Sequence, residues 1–298
     1  MIPGIERRAN LTGSAWMVAA MAAFSIEDVF IKAASASLPV SQLLVIFGAG
    51  GALVFACSAL LRGERLVSRE VASAPMLIRV LFEVLGRLFY VLAIALAPLS
   101  VATVILQATP IVVVAGAALV FGEQVGWRRW SAILLGLAGV IIIIRPGTES
   151  FSLLSVLALL GMLGFAGRDL ASRAAPASLG TSILGLYGFL SIAAAGALYS
   201  AWEGATFVYP DGTTWLLLLG AVVVGAAAYA GLMKAMRTGE VSAVTPFRYT
   251  RLLFGITCGV VLFDEQLGLP VVAGCGLIVV SGLFILYDGA RPGQGARL

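Results

Sequence analysis

Eight ionisable side chains stand inside long apolar stretches of this sequence: Glu27, Asp28, Lys32, Arg79, Glu83, Arg87, Arg248 and Arg251. A charge at hydrocarbon depth is costly unless it meets a partner or a watery cavity, so each marks a place where a ligand or an ion can be handled. Arg79, Glu83 and Arg87 follow at steps of four, with Tyr90 three further on, which aligns them along one helix face. Arg248 and Arg251 lie three apart behind Pro246, with Tyr249 and Thr250 between them. No acid accompanies them in their own segment, so they require one from another helix or an anionic group on a ligand. Gln107 and Thr109 add polar groups just ahead of Pro110.

Simpler readings stand beside these. The ladder of Arg79, Glu83 and Arg87 can be an ion pair within one helix, with Arg79 snorkelling to the surface. Asp28 and Lys32 can pair at a spacing of four. Tyr90, Phe165, Tyr187, Tyr229 and Tyr249 can line one aromatic pocket or pack separately. Glu83 reads as the one acid deep in a span, and so as the candidate carrier if a proton is coupled to the chemistry.

The elements that must position these groups are legible from composition. The chain has 298 residues, of which 60% are hydrophobic and 11% charged, and its mean hydropathy is +1.04. That leaves too little polar surface to cover a soluble core, so a lipid bilayer is the expected surrounding. Apolar stretches long enough to cross roughly 30 Å of hydrocarbon fall at 11–36, 41–61, 76–97, 99–121, 128–145, 151–172, 178–201, 213–237, 241–263 and 268–288. The expected fold class is all-α integral membrane, with ten transmembrane helices. Long unbroken runs such as Ile141 to Ile144 exclude a barrel of alternating strands. Cys57, Cys258 and Cys275 fall within these runs and read as packing residues. Histidine is absent, which removes the commonest metal ligand, and no cofactor is expected. There is no phosphate-binding loop, so ATP hydrolysis is not expected, and nothing points to nucleic acid. A basic start at Arg7 and Arg8, followed by an apolar run and Ala34-Ser35-Ala36, has the form of a cleavable leader. Cleavage would remove a whole helix from the pattern described next.

The stretch from Ala97 to Ile144 has a counterpart about 140 residues later: Phe121-Gly122-Glu123-Gln124 answers to Phe263-Asp264-Glu265-Gln266, each closing an apolar run that contains a proline. The chain reads as a tandem repeat, residues 1–147 and 148–298, with five helices in each half. An odd number of spans per half makes the repeat inverted across the membrane. The bases agree. Arg7, Arg8, Arg62, Arg65, Arg69, Arg128, Arg129, Arg168, Arg173, Lys234, Arg237, Arg291 and Arg297 sort to one side, which the positive-inside rule makes cytoplasmic together with both termini. Trp16, Trp127, Trp130, Trp202 and Trp215 fall near helix ends, as interfacial anchors do.

The series Ala95 to Ala102, Pro110, Gly122-Glu123-Gln124-Val125-Gly126-Trp127-Arg128-Arg129-Trp130 and Gly136 to Val140, closing at Arg145-Pro146-Gly147, resembles the EamA domain of the drug/metabolite transporter superfamily. The opening Phe24-Ser25-Ile26-Glu27-Asp28-Val29-Phe30-Ile31-Lys32 resembles it as well. The second copy keeps Asp264-Glu265-Gln266 but ends Leu286-Tyr287-Asp288. The resemblance implies a secondary transporter of the bacterial inner membrane, multi-pass, with a central cavity between its halves. Within the superfamily the chain is similar to YddG-type exporters of aromatic and other amino acids. The expectation is export of a small-molecule substrate of that kind by alternating access, with a multidrug or other metabolite carrier of the same fold as the alternative. It is not expected to be an enzyme, and it is expected to act as a monomer or weak homo-oligomer. An amino acid carries both charges, so Asp28 or Glu83 would receive its ammonium and Arg87, Arg248 or Arg251 its carboxylate. Tyr90, Gln107, Thr109 and Tyr249 complete the expected substrate-binding set.

Overall fold

The computed structural model describes residues 3–96, 105–144, 155–204, 206–263 and 269–290. The second Glu-Gln connection at Asp264 and Glu265, the turn at Pro98, the close at Arg145 and the terminal bases Arg291 and Arg297 lie outside the described residues. Among the described residues there are helices and no strand. The helices are α1 (Pro3–Ala34), α2 (Val40–Leu61), α3 (Ala74–Leu96), α4 (Thr109–Phe121), α5 (Trp127–Ile144), α6 (Ser155–Ala174), α7 (Thr181–Glu203) and α8 (Gly212–Arg237), then α9 (Thr250–Phe263) and α10 (Leu269–Ala290).

The ninth apolar stretch is broken where Pro246 removes a backbone donor. It begins as one helical turn, Val241–Val244, tightens to 3-10 geometry over Thr245–Tyr249 and only then continues as α9. The fourth stretch is interrupted in the same way, since Gln107 and Ala108 form a turn immediately before Thr109 and Pro110 start α4.

Four of these helices, over Glu6–Ile31, Val40–Leu61, Thr181–Glu203 and Gly212–Arg237, are both long and apolar enough to cross a membrane. Among the described residues two of the expected spans fall short for local reasons. Arg79, Glu83 and Arg87 break the apolarity of α3, and the turn at Gln107 leaves α4 only 13 residues long. Large apolar side chains face outward around the bundle, among them Leu61, Leu119, Leu216 and Leu269 at 71% exposure or more. Such a surface needs lipid, not water, around it.

Packing runs between the halves. α2 lies along α7, α5 along α10, α1 along α8 and α3 along α6; α3 also meets α7, α2 meets α8, α1 meets α9 and α4 meets α6. Exchanging the first five helices for the second five maps this set of neighbours onto itself, because the pair α1 with α8 becomes α6 with α3, and α1 with α9 becomes α6 with α4.

Glycines make the close approaches possible. A Cβ on Gly48 of α2 would come within 2.4 Å of the backbone nitrogen of Ala193 on α7, and one on Gly164 of α6 within 2.4 Å of the Gly86 Cα on α3. Backbone cannot yield as a side-chain tip can, so a methyl group at either place must push two helices apart. Gly48→Ala and Gly164→Ala are each expected to destabilise the protein by about 1–3 kcal/mol, read as a lowered thermal midpoint in detergent. Gly255→Ala, where a Cβ meets nothing within 4 Å, is expected to leave that midpoint unchanged or raised.

Candidate functional site

Among the described residues, most of the ionisable groups of the spans gather into two clusters, one dry and closed, the other accessible. The dry cluster is built by α3, α6, α8 and the 3-10 turn before α9. Glu83 is fully buried; one carboxylate oxygen accepts from Arg168 at 3.2 Å and the other from the Tyr229 hydroxyl at 2.6 Å. Arg168 also donates through Nε to Asp169 at 2.8 Å, and the other oxygen of Asp169 accepts from Arg248. Arg79 donates to the Tyr229 hydroxyl at 2.6 Å and to Ser172 at 2.9 Å, while Ser172 donates in turn to the Arg168 carbonyl at 2.7 Å. Three guanidiniums and two carboxylates are thus linked end to end with Tyr229 as an internal bridge. The array carries one positive charge in excess, which Tyr229 and Phe165 soften by presenting ring faces to Arg79 at 5.9 Å and to Arg168 at 5.1 Å.

The helix ladder therefore does not pair within itself. Glu83 takes its base from α6, and Arg79, which is fully buried, does not snorkel. Arg168 sorts with the surface bases by sequence but is 6% exposed, and Asp169 beside it is fully buried. Glu83 is thus not the only acid at depth. Asp169 was concealed by position: it lies five residues before the end of α6, beside Arg168, which sorts with the surface bases, and its pairing with Arg248 of the 3-10 turn reveals it. Both arginines of the ninth segment find acids on other helices, as their isolation requires.

The accessible cluster lies further from the end of the bundle at which α1 begins. Arg251 of α9 grips Asp28 of α1 with Nη2 at 2.7 Å and Nε at 3.1 Å, and the two side chains remain 37% and 54% accessible. The backbone there is fixed by Ser25, which donates to the carbonyls of Met21 and Arg251, each at 3.1 Å. Phe24 lies under the Arg251 guanidinium at 5.1 Å. Tyr90 of α3 lies within electrostatic reach of this pair, and Arg87 of α3 within reach of Tyr90 and of Glu27. Both lean on Phe165, Arg87 at 5.5 Å and Tyr90 edge-on at 5.7 Å, and Arg87 Nε has no hydrogen-bond partner.

The remaining expected site residues are placed elsewhere. Thr109 is buried and donates to the Leu106 carbonyl at the break before α4, where Gln107 is half-buried. Tyr249 is packed against α5 and α10, its hydroxyl donating to the Ile133 carbonyl at 3.3 Å and its ring filling the space a Cβ on Gly136 would need. The tyrosines do not form one pocket: Tyr229 joins Phe55 and Phe189, and Tyr187 donates to the Leu66 carbonyl at 3.2 Å. A groove of about 580 Å³ beside Leu53, Val54 and Cys57 of α2 shares no residue with either cluster.

A third polar set, at the end where α1 begins, gives the Gly-Glu motif a physical role. Gly122 ends α4 in the left-handed conformation at φ 66°, which turns Glu123 toward the ninth segment. Its two oxygens accept from the amides of Val241 at 2.8 Å and Ser242 at 3.0 Å. These are donors left without intrahelical partners at a helix start, so the carboxylate caps the ninth segment. Arg129 donates to Ser242 at 2.6 Å and to Glu240 at 2.5 Å, and Asn10 of α1 exchanges two hydrogen bonds with Glu240, at 2.8 and 3.1 Å. This latch ties together the start of α1, the connection from α4 to α5 and the start of the ninth segment. Towards the other end, Asp211 caps α8; bonds from the Thr214 hydroxyl and amide hold its carboxyl below the usual carboxylate range.

Paired breaks, paired helices and charges shared between the halves define a membrane protein of repeated architecture, and the comparisons give its family. The chain belongs to the EamA-like transporter family, whose model matches twice, over residues 11–145 and 153–287. It is a small-molecule transporter of the drug/metabolite transporter type, not an enzyme. Over 281 residues it is 28% identical to the riboflavin transporter of Vibrio cholerae, covering 92% of this chain and 93% of that one. It is 29% identical to the pseudopaline exporter CntI of Pseudomonas aeruginosa, with 91% and 95% covered. It is 23% identical to the S-adenosylmethionine uptake transporter of Rickettsia prowazekii, with 93% of each covered. A solved crystal structure at 21% identity superposes with a TM-score of 0.79, covering 95% of this chain and 99% of its own, which shows the shared fold.

Breaking a buried ion pair strands the remaining charge at a cost of about 3–5 kcal/mol. Asp169→Asn is therefore expected to lower the thermal midpoint in detergent sharply, by more than Tyr229→Phe, which removes two hydrogen bonds at about 1–3 kcal/mol. Equal, small effects from both would contradict the linked array.

Proposed function

We propose that this protein is an alternating-access carrier of the bacterial inner membrane that exports small zwitterionic metabolites, amino acids including aromatic ones among them. In this reading residues 1–147 and 148–298 are inverted repeats of five spans each, both termini are cytoplasmic, and no ATP is used. The observation that carries the reading is the accessible pair of Asp28 and Arg251, which joins the first helix of one half to the ninth segment of the other.

A zwitterion suits that pair for a reason of charge balance. With no substrate the carboxylate and the guanidinium satisfy one another. An α-amino acid offers an ammonium for Asp28 and a carboxylate for Arg251, so it exchanges pair for pair and leaves no new charge uncompensated in the membrane. Arg87, with an unpartnered Nε, and Tyr90 on the neighbouring α3 are the further donors this reading assigns to the substrate carboxylate. Phe24 and Phe165 offer ring faces to a planar side group. Among the relatives' named substrates, S-adenosylmethionine is itself an α-amino acid joined to an aromatic base. The names riboflavin and pseudopaline favour, for the alternative, a carrier of other metabolites on the same fold. Export follows from the likeness to YddG-type exporters, since the named relatives include both an exporter and uptake transporters.

The latch and the dry charge array both lie toward the end at which α1 begins, while Asp28 and Arg251 remain accessible. This combination supports a state closed to the cytoplasm and open to the outside. Glu83, Arg248, Gln107, Thr109 and Tyr249 then serve closure and packing in this state, and Asp28, Arg251, Arg87 and Tyr90 handle substrate.

Counterflow into proteoliposomes from a mixed pool of amino acids, S-adenosylmethionine and riboflavin, read by mass spectrometry, tests the reading. Enrichment of amino acids is expected, with a loss of tenfold or more in Arg251→Ala and Asp28→Asn; enrichment of riboflavin alone, or no effect of either substitution, would refute it. Glu123→Ala removes the cap on the ninth segment and is expected to raise the rate at which a thiol reagent on the cytoplasmic side labels Ser242→Cys.

A further inference from the structure

The two family matches start at residues 11 and 153, and the same step of 142 carries Glu27 of α1 onto Asp169 of α6. Equivalent acids of the two halves have opposite fates. Asp169 has both oxygens held by arginines. Glu27 is 6% exposed, yet its Oε2 is buried without a hydrogen-bond partner among the described residues. The side chain is directed between α2 and α8: a Cβ on Gly225 would meet the Phe47 ring at 2.7 Å and the Glu27 carboxyl carbon at 3.2 Å. A glycine on α8 thus clears the room that the carboxyl occupies, and an aromatic ring forms its other wall.

An ionised carboxylate in such a place lacks the partners that its charge demands, whereas the neutral acid needs far less. The charged groups that face Glu27 are Asp28 on its own helix, Arg251 on α9 and Arg87 on α3, and Tyr90 of α3 interacts with these same three groups. Arg251 is already committed to Asp28. α2 has no charged residue. α8 presents Gly225 and, one turn on, Tyr229, which is committed to Glu83 and Arg79.

We propose that Glu27 is a proton-binding site that couples transport to the proton gradient, taking up one proton as the neutral acid in the state described here and releasing it when the bundle opens to the other side. The site is separate from the substrate pair but adjacent to it in sequence, so a movement of α1 that opens the hold of Arg251 on Asp28 also changes what surrounds Glu27. This coupling rests on the carrier reading above, whereas the proton site itself does not. The ladder acid Glu83 is unsuited to the role because both its oxygens are bonded and its neighbours are guanidiniums.

Two measurements separate the parts. Infrared difference spectra of the purified protein in lipid, recorded between acid and alkaline pH, are expected to contain a protonated-carboxyl C=O band that titrates, disappears in Glu27→Gln and returns shifted in Glu27→Asp. A spectrum of Glu27→Gln identical to that of the native protein overturns the proton site whatever the protein transports. In proteoliposomes with phenylalanine as the probe, an imposed pH gradient is expected to drive accumulation at least fivefold above the equilibrated level in the native protein and not in Glu27→Gln. Phenylalanine counterflow in the native protein with no response to the gradient overturns the coupling while leaving the carrier reading intact. Absence of counterflow for every member of the pool, with the infrared band present, counts against the carrier reading and the coupling that rests on it and leaves the proton site standing.

Discussion

Arg168 sits where a guanidinium in a membrane protein can survive only if its surroundings are fixed. It is held between Glu83 and Asp169, and each of those acids needs a second donor, which Tyr229 and Arg248 provide. Because the partners come from α3, α6, α8 and the turn before α9, satisfying one charge fixes the relative depth of elements from both halves. A shift of one helix by a single turn, about 5.4 Å, would leave at least one ion without its partner. The array therefore sets register within a bundle whose apolar helices, packed through glycine, would otherwise slide against one another with little penalty. Its cost in desolvation is the reason to regard it as a specifier of one arrangement, not as a source of net stability.

The latch at the end where α1 begins works on a different principle. It joins backbone amides at a helix start to the carboxylate of Glu123, outside the densest part of the bundle, and its members Arg129 and Glu240 keep 22% and 39% accessibility. Groups that can exchange protein partners for water part at modest cost. If the latch is the closure proposed above, it is better made from such contacts than from the buried array. The Gly-Glu pair is thus both the end of one helix and the cap of another.

The architecture was legible because it is written in composition and spacing. Apolar runs and the first Glu-Gln close correspond to described elements, and the breaks of the fourth and ninth runs fall at the prolines Pro110 and Pro246. That Arg248 and Arg251 need an acid of another helix or an anionic ligand group was legible too, since a base alone in an apolar run must be answered from elsewhere; in the structure both meet acids. Which acids answer was not. Asp169 and Asp28 lie 79 and 223 residues away along the chain, and no local pattern encodes such a distance. The stripe Arg79-Glu83-Arg87 misled in the opposite sense: spacing of four makes an intrahelical pair possible, but a buried partner on α6 and a tyrosine on α8 satisfy Glu83 more completely. Tyr249 and Thr109 have polar groups at the expected depth, yet each is bonded to a backbone carbonyl, a use that sequence cannot distinguish from an open one.

The ninth segment concentrates these relations. Its two arginines are three residues apart, and they reach the first helix of each half: Arg251 holds Asp28 on α1, and Arg248 holds Asp169 on α6. The segment is also the one that changes from a helical turn through 3-10 geometry to α-helix, and its start is the part capped by Glu123. A rotation of this segment cannot leave either acid as it is. If Arg251 is drawn from Asp28, the accessible pair is lost and Arg248 must turn against Asp169 as well. One piece of irregular backbone thus links the accessible site to the dry array. The repeat is symmetric in its helix neighbours but not in its charges, since the fourth segment carries no arginine where the ninth carries two. Under the proposed alternation of the halves, that asymmetry makes the two end states chemically different, so that the accessible pair and the dry array have no like-charged counterparts on the other side.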